Sequence, residues 1–324
     1  MGLLVNGKWS EDDVASAAQN EKGEFRRAES VCRDWVTADG SSPFPAQAKR
    51  YHLLLAHNCP WAHRTQIARK LLGLQHAIGI SFAETQRDAE GWWYRYAMDG
   101  LEPENGKLHL HRFYTASDPE FTGRVTTPTL WDSETRKVVN NESAEILRML
   151  NGAFREFSDS ELDLYPEPLR EEIDEANDYV YRNVNNGVYR CGFASSQEAY
   201  NEAFVQLFEA LDEIEEQLER HRYLVGNQLT EADVRLFPTL VRFDAVYVGH
   251  FKCNLRRIAD YPNLSNYIRD LYRFGAFGST VRINVYKQGY YGNSPRLNPS
   301  GIVPLGPELD FEADHDRATR EYAG

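Results

Sequence analysis

The chain has 324 residues, 42% hydrophobic and 26% charged, enough for one large or two medium domains and too apolar for wholesale disorder. No apolar run approaches the ~20 residues of a membrane helix, and the opening MGLLVNGKWS has neither the basic region nor the apolar core expected of a secretory signal. The formal charge of -13, from 49 acids and 36 bases with no basic cluster, speaks against nucleic acid and against an anionic membrane surface. Arginine outnumbers lysine 28 to 8, a skew that GC-rich coding or adaptation to salt would produce.

Residues 1–50 are polar with scattered aromatics (Trp9, Phe25, Trp35, Phe44) and predict an extended arm packed on the core. Residues 51–56 are a short apolar run, read as a buried strand. Pro60 follows, and Ala62, Ile67, Ala68, Leu71 and Leu72 recur at helical spacing, so a helix starts near 60. Residues 77–82 suit a second strand, parallel to the first across that helix. A polar and aromatic insertion with Trp92-Trp93-Tyr94 comes next. Residues 126–131 and 137–139 read as two strands joined by a turn, and a helix should run from about 142 to 150. This β-α-β, β-β-α order predicts an α/β thioredoxin-like domain over 51–152.

Beyond 165 the texture changes. Ile173, Ala176, Val180 and Val184 share one helical face, and Phe204, Leu207, Phe208, Leu211, Ile214 and Leu218 share another. Residues 234–248 are apolar nearly all round, which predicts a central helix, capped by Thr230 with Asp233 reaching back. Leu264, Tyr267, Ile268 and Leu271 give one more helix. Residues 165–280 therefore predict an all-α domain. Residues 281–324, rich in Pro, Gly and Tyr, predict a tail that covers the surface.

Cys32, Cys59, Cys191 and Cys253 are too few for a disulfide scaffold and none forms a CxxC pair, so free thiols in the cytoplasm are expected. Cys59 stands out, because Asn58-Cys59-Pro60-Trp61-Ala62 lies between a strand and a helix. Unpaired amides and the helix dipole there favour the thiolate, the nucleophilic form. Ala62 occupies the position where a second cysteine would close a local disulfide, so a resolving thiol must come from solution. The alternative is an inert buried thiol. Thr127-Pro128 at the start of the third strand fits a cis proline beside the reactive sulfur, freeing the Thr127 backbone to pair with a peptide-like thiol; a trans proline at a strand start is the plainer choice. Glu142 and Ser143 open an apolar helical run, where a helix N-terminus can hold a carboxylate, or where the two can simply cap.

Together these motifs resemble the glutathione transferase superfamily. Asn-Cys-Pro-Trp-Ala-His-Arg, residues 123–132, Asn-Asn-Glu-Ser at 140–143, Asn-Asn-Gly-Val-Tyr at 185–189 and residues 298–307 look like those of the glutathionyl-hydroquinone reductases, the Xi class. The resemblance implies a homodimer that uses glutathione to reduce glutathionyl-hydroquinones, with thioltransferase activity; no metal is expected from the sparse ligand clusters, and no nucleic-acid or membrane partner from the charge. Cys59 would be catalytic. The thiol site would comprise Trp92 (or Trp93) as a lid, Arg124 toward the glycyl carboxylate, Thr127, Pro128, Glu142 and Ser143. Tyr189 and Tyr290, with Tyr291 as the alternative, would take the hydroquinone. γ-Glutamylcysteine is the alternative thiol should the acidic composition reflect salt. The tail departs from the family's Tyr-Tyr-x-Ser-His at Tyr290-Tyr291-Gly292-Asn293-Ser294, and Cys191 stands where a small apolar residue is expected. The competing functions are a conjugating transferase and a non-catalytic scaffold. His57, Cys59 and His63 are too few for a metal centre, and His109-x-His111, with no partner carboxylate legible, reads as a strand pair.

Overall fold

A computed structural model describes residues 2–10 and 19–322. The chain divides into two compact units, Met1–Ala18 with Arg27–Leu162, and Gln19–Arg26 with Asp163–Gly324. The residues of the expected 1–50 arm are thus shared between the units, and positions 11–18 lie outside the described residues.

The first unit is built on a four-stranded sheet. β1 (Tyr51–Ala56) runs parallel to β2 (Gly79–Ala83), with Leu53 opposite Ile80, and α1 (Pro60–Leu71) makes the crossover. After α2 (His111–Ser117), β3 (Thr129–Asp132) pairs antiparallel with β1, Thr129 opposite Leu54, and β4 (Lys137–Asn140) pairs antiparallel with β3. The order is β4-β3-β1-β2, and α3 (Ser143–Gly152) packs against α1. Burial of nearly every residue of β1 explains its continuous apolar run. This is the thioredoxin-like arrangement expected. In a separate three-stranded sheet, Leu3–Val5 forms a hairpin with Lys8–Ser10 around Asn6 and Gly7, both at positive φ, and also pairs with Gly123–Arg124.

The second unit is all-α. It contains α4 (Arg170–Val180), α5 (Gly187–Phe193), α6 (Gln197–Arg220), α7 (Glu231–Arg242) and α8 (Pro262–Arg273). α7 is buried on almost every side, and its start is the expected capping box: Thr230 N donates to Asp233 Oδ2 at 2.9 Å, and Ala232 N to Thr230 Oγ1 at 3.3 Å. π-helical turns follow α4 (Tyr181–Asn185) and α7 (Phe243–Tyr247).

Two expectations need correction. The 281–324 segment is not wholly a draped tail, because Ile283–Gly292 forms a helix, α9, with Tyr286, Lys287 and Gly289 buried. Arg242 lies 3.6 Å from the Tyr286 ring centroid, and tertiary packing of this kind overrides weak helix propensity. The His109-x-His111 pair is not one strand either: His109 ends Leu108–His109, and His111 opens α2.

Candidate active site

Cys59 is the N-cap of α1, with Pro60 in the first turn. Its Sγ accepts from Ala62 N at 3.4 Å and donates to the Thr127 carbonyl at 3.3 Å. Strand, cap and helix therefore hold the sulfur at the positive end of the helix dipole. The Thr127-Pro128 peptide is cis, and both residues are buried. Tyr114 of α2 pins this loop, its hydroxyl donating to the Thr126 carbonyl at 3.2 Å. Asn141 Nδ2 in turn donates to Tyr114 Oη at 3.2 Å and to Thr126 Oγ1 at 3.1 Å.

Glu142 is the N-cap of α3; its carboxylate accepts from Ala144 N at 3.2 Å and from Ser30 Oγ at 3.1 Å. Ser143 Oγ accepts from Arg64 Nη1 at 3.3 Å. Trp92 belongs to the apolar cluster that Cys59 packs against. Its neighbour Trp93 faces the other way along the strand, donating Nε1 to the Gln86 carbonyl at 3.0 Å. Arg124 sits on the short edge strand, where its Nε is buried without a hydrogen-bond partner among the described residues. Burial, with Arg27 nearby, pulls the Arg124 guanidinium down to about 10, still charged at neutral pH.

The sequence reading missed three more arginines. Arg27 and Arg64 lie 4.7 and 4.4 Å from the Trp61 ring centroid, and Arg87 lies 5.0 Å from that of Trp92. Burial pulls Arg87 down to about 10, and the charge of Cys59 works against that shift. A chain of net charge -13 thus sets Arg27 and Arg64 against Trp61, two residues from the thiol, and brings Arg87 within reach of the Cys59 charge. Nothing local marks Arg27 or Arg87, whereas Arg64 closes the Asn-Cys-Pro-Trp-Ala-His-Arg run and is buried on α1.

In the second unit, Tyr189 and Tyr290 share a hydrogen bond, Oη to Oη 2.7 Å, and Tyr247 Oη lies 3.0 Å from Tyr290 Oη. Phe25, Phe193 and Phe251 pack around Tyr189. Tyr247 was not anticipated; it lies in the second π-helical turn, a distortion common at functional sites. Tyr291 instead packs on His250 and donates to the Val246 carbonyl at 3.5 Å. Cys191 is buried beside Cys253, and burial holds the Cys253 thiol well above its usual value.

Residues 58–153 match the N-terminal domain model of glutathione S-transferases, and residues 197–270 match the C-terminal domain model. Fold and matches together define a glutathione transferase. The chain is 48% identical to the glutathionyl-hydroquinone reductase PcpF of Sphingobium chlorophenolicum, over 95% of this chain and 96% of that protein. It superposes on a Xi class GST from Natrialba magadii with a TM-score of 0.88 at 42% identity, covering 98% and 97% of the two chains. The glutathione-bound YqjG of Escherichia coli gives the same score and identity, covering 99% and 100%. The chain belongs to the Xi class of glutathione transferases, the family of the glutathionyl-hydroquinone reductases.

Proposed function

We propose that this enzyme removes glutathione from glutathionyl-hydroquinones through Cys59. The observation that carries this reading is a single sulfur at a helix N-cap with Ala62, not a second cysteine, in the first turn. The Cys59 thiolate attacks the thioether sulfur. A disulfide forms between Cys59 and glutathione, the carbon–sulfur bond breaks, and its electron pair stays on the ring carbon, which takes a proton. A second glutathione thiolate attacks the glutathione sulfur of the mixed disulfide, releasing oxidised glutathione and the Cys59 thiolate. The same second step gives thioltransferase activity.

Glutathione is an anion that needs polar partners. Arg124, with an orphaned buried Nε, is suited to its glycyl carboxylate, and the Thr127 backbone to its cysteinyl amide. Glu142 and Ser143 at the start of α3 would take the γ-glutamyl end, exchanging helix-cap bonds for ligand bonds. Trp92 would cover the thiol, and Pro128 shapes its floor. Tyr189 and Tyr290 would hydrogen-bond the hydroquinone, their phenols serving as proton donors. A homodimer in the cytoplasm completes the reading, supported by family membership and by four cysteines without a disulfide. No helix among the described residues is long and apolar enough to cross a membrane.

The test is Cys59→Ser. Reductase and thioltransferase activities should both disappear. Unchanged reductase turnover would overturn the proposal, and a gained conjugating activity would favour the transferase alternative. Protection of Cys59 from alkylation by glutathione against γ-glutamylcysteine identifies the thiol: a thiol lacking glycine leaves Arg124 without a carboxylate.

A further inference from the structure

The insertion between β2 and α2 brings together two imidazoles and a carboxylate that the Cys59 chemistry does not use. Its chain first makes a tight turn, closed by reciprocal backbone hydrogen bonds between Asp88 and Gly91 of 3.3 and 3.0 Å. It then runs out through Trp93–Tyr94 and back through Leu108–His109 as an antiparallel pair, Trp93 opposite His109. Leu110 N donates to the Trp92 carbonyl at 2.8 Å, so His111 returns beside the turn. Glu90 Oε2 consequently lies 3.0 Å from His111 Nε2 and 4.0 Å from His109 Nδ1. One donor atom from each of the three residues falls within 4.8 Å of the others.

The second nitrogen of His109 is also accounted for. Its Nε2 lies 3.1 Å from Asp88 Oδ1, and Asp88 is held by Lys107 Nζ at 2.6 Å and by Glu90 N at 3.0 Å. A carboxylate on Nε2 favours the tautomer with its proton there, leaving the Nδ1 lone pair directed at another acceptor, Glu90. Two acceptors face to face are relieved by a cation between them. Both rings are fixed in advance: His111 stacks on His109 at 5.4 Å and on Trp9 at 5.1 Å, and the Trp9 indole donates to the Ala89 carbonyl at 2.8 Å.

We propose that Glu90, His109 and His111 bind a borderline divalent transition-metal ion, zinc foremost, with Asp88 as the outer carboxylate that orients His109. Two imidazoles and one carboxylate suit zinc rather than magnesium or calcium, which take oxygen ligands. Donor atoms of a tetrahedral zinc site stand about 3.3 Å apart, so the His109–Glu90 separation closes by under 1 Å on binding. Three protein ligands leave the fourth position to water. The Glu90 side chain is 54% exposed, which gives the ion a path in, whereas His109 is buried at 8%. The bound ion would clamp the Asp88–Gly91 turn to the ribbon directly ahead of Trp92.

The site is tested by titrating the reduced, chelator-stripped full chain with Co2+ and then Zn2+, as wild type and as Cys59→Ser. One Co2+ per chain is expected, displaced by Zn2+ and equal in both proteins, with ligand-field bands and no thiolate-to-cobalt charge-transfer band. Asp88→Asn should weaken binding 10- to 100-fold, and His111→Ala and Glu90→Gln at least as much. Glu90 is exposed, so Glu90→Gln decides the matter if His111→Ala does not fold by circular dichroism. No saturable uptake, uptake unchanged by Glu90→Gln, or a thiolate band lost with Cys59→Ser would each overturn the proposal.

Discussion

Arg27 lies near enough to Arg124 for its like charge to make the Arg124 guanidinium costlier to keep ionised. Such a pair destabilises the protein alone and rewards an anion. Arg124→Gln should therefore raise the KM for glutathione about 10- to 100-fold, equivalent to roughly 1.4–2.8 kcal/mol, and change kcat at saturating thiol much less. The same substitution should leave the melting temperature unchanged or higher. Steady-state kinetics and thermal melts on one preparation check both signs.

Tyr290 joins its hydroxyl to those of Tyr189 and Tyr247. Burial pushes the Tyr247 and Tyr290 phenols well above 10, so both stay protonated and able to donate across the working range. Tyr290→Phe should cut reductase kcat/KM by about 10- to 100-fold and spare thioltransferase activity on a small mixed disulfide, which has no ring to protonate. Equal loss of both activities would place Tyr290 outside the hydroquinone step.

Arg50 and Asp132 form a buried two-point ion pair, Nε to Oδ1 2.8 Å and Nη2 to Oδ2 2.6 Å. Burial works to raise the Asp132 carboxyl, but hydrogen bonds from Arg50, Thr135 and the Glu134 amide outweigh it and hold the group below 3.8. Folded below unfolded means that its stabilisation is present above pH 3.8 and lost as pH falls through the lower folded value. Urea unfolding from pH 6 to pH 3 should show a steeper acid loss in wild type than in Asp132→Asn. Asp132→Ala leaves the buried Arg50 guanidinium with only the exposed Glu134, 3.3 Å from Nη1, and should cost about 3 kcal/mol at neutral pH.

Arg317 is buried, and its guanidinium donates to the carbonyls of Leu218 at 2.9 Å and of His221 and Arg222 at 2.6 Å each, closing the C-terminal end of α6. Arg317→Ala should destabilise the chain by about 2 kcal/mol through these freed carbonyls, with activity per folded molecule unchanged. Chemical denaturation measures the first and active-site titration the second.

Local pattern carried much of this architecture. Pro60 after an apolar run marked β1 and α1, Thr230 with Asp233 marked α7, and the periodicity from Phe204 to Leu218 marked α6. What stayed illegible depends on partners remote in sequence. Arg27 and Arg87 reach the thiol site from segments without motifs, and Glu90 meets His109 only because a ribbon folds back. α9 forms in a Gly- and Tyr-rich stretch because Arg242 covers Tyr286 and Lys287 Nζ reaches the Leu305 carbonyl at 2.6 Å. Periodicity cannot register contacts of this kind.

Residues 19–26 are part of the helical unit, with Phe25 against Phe193 and Tyr189. They leave the ribosome long before the helices they join. The second unit therefore cannot complete this packing as the nascent chain grows until Tyr189, Phe193 and Ser195 emerge to meet residues 19–26. A gene cut at the Leu162–Asp163 boundary would yield a helical fragment missing this early piece. Recombination that swaps helical halves between relatives must carry the short upstream stretch along with them.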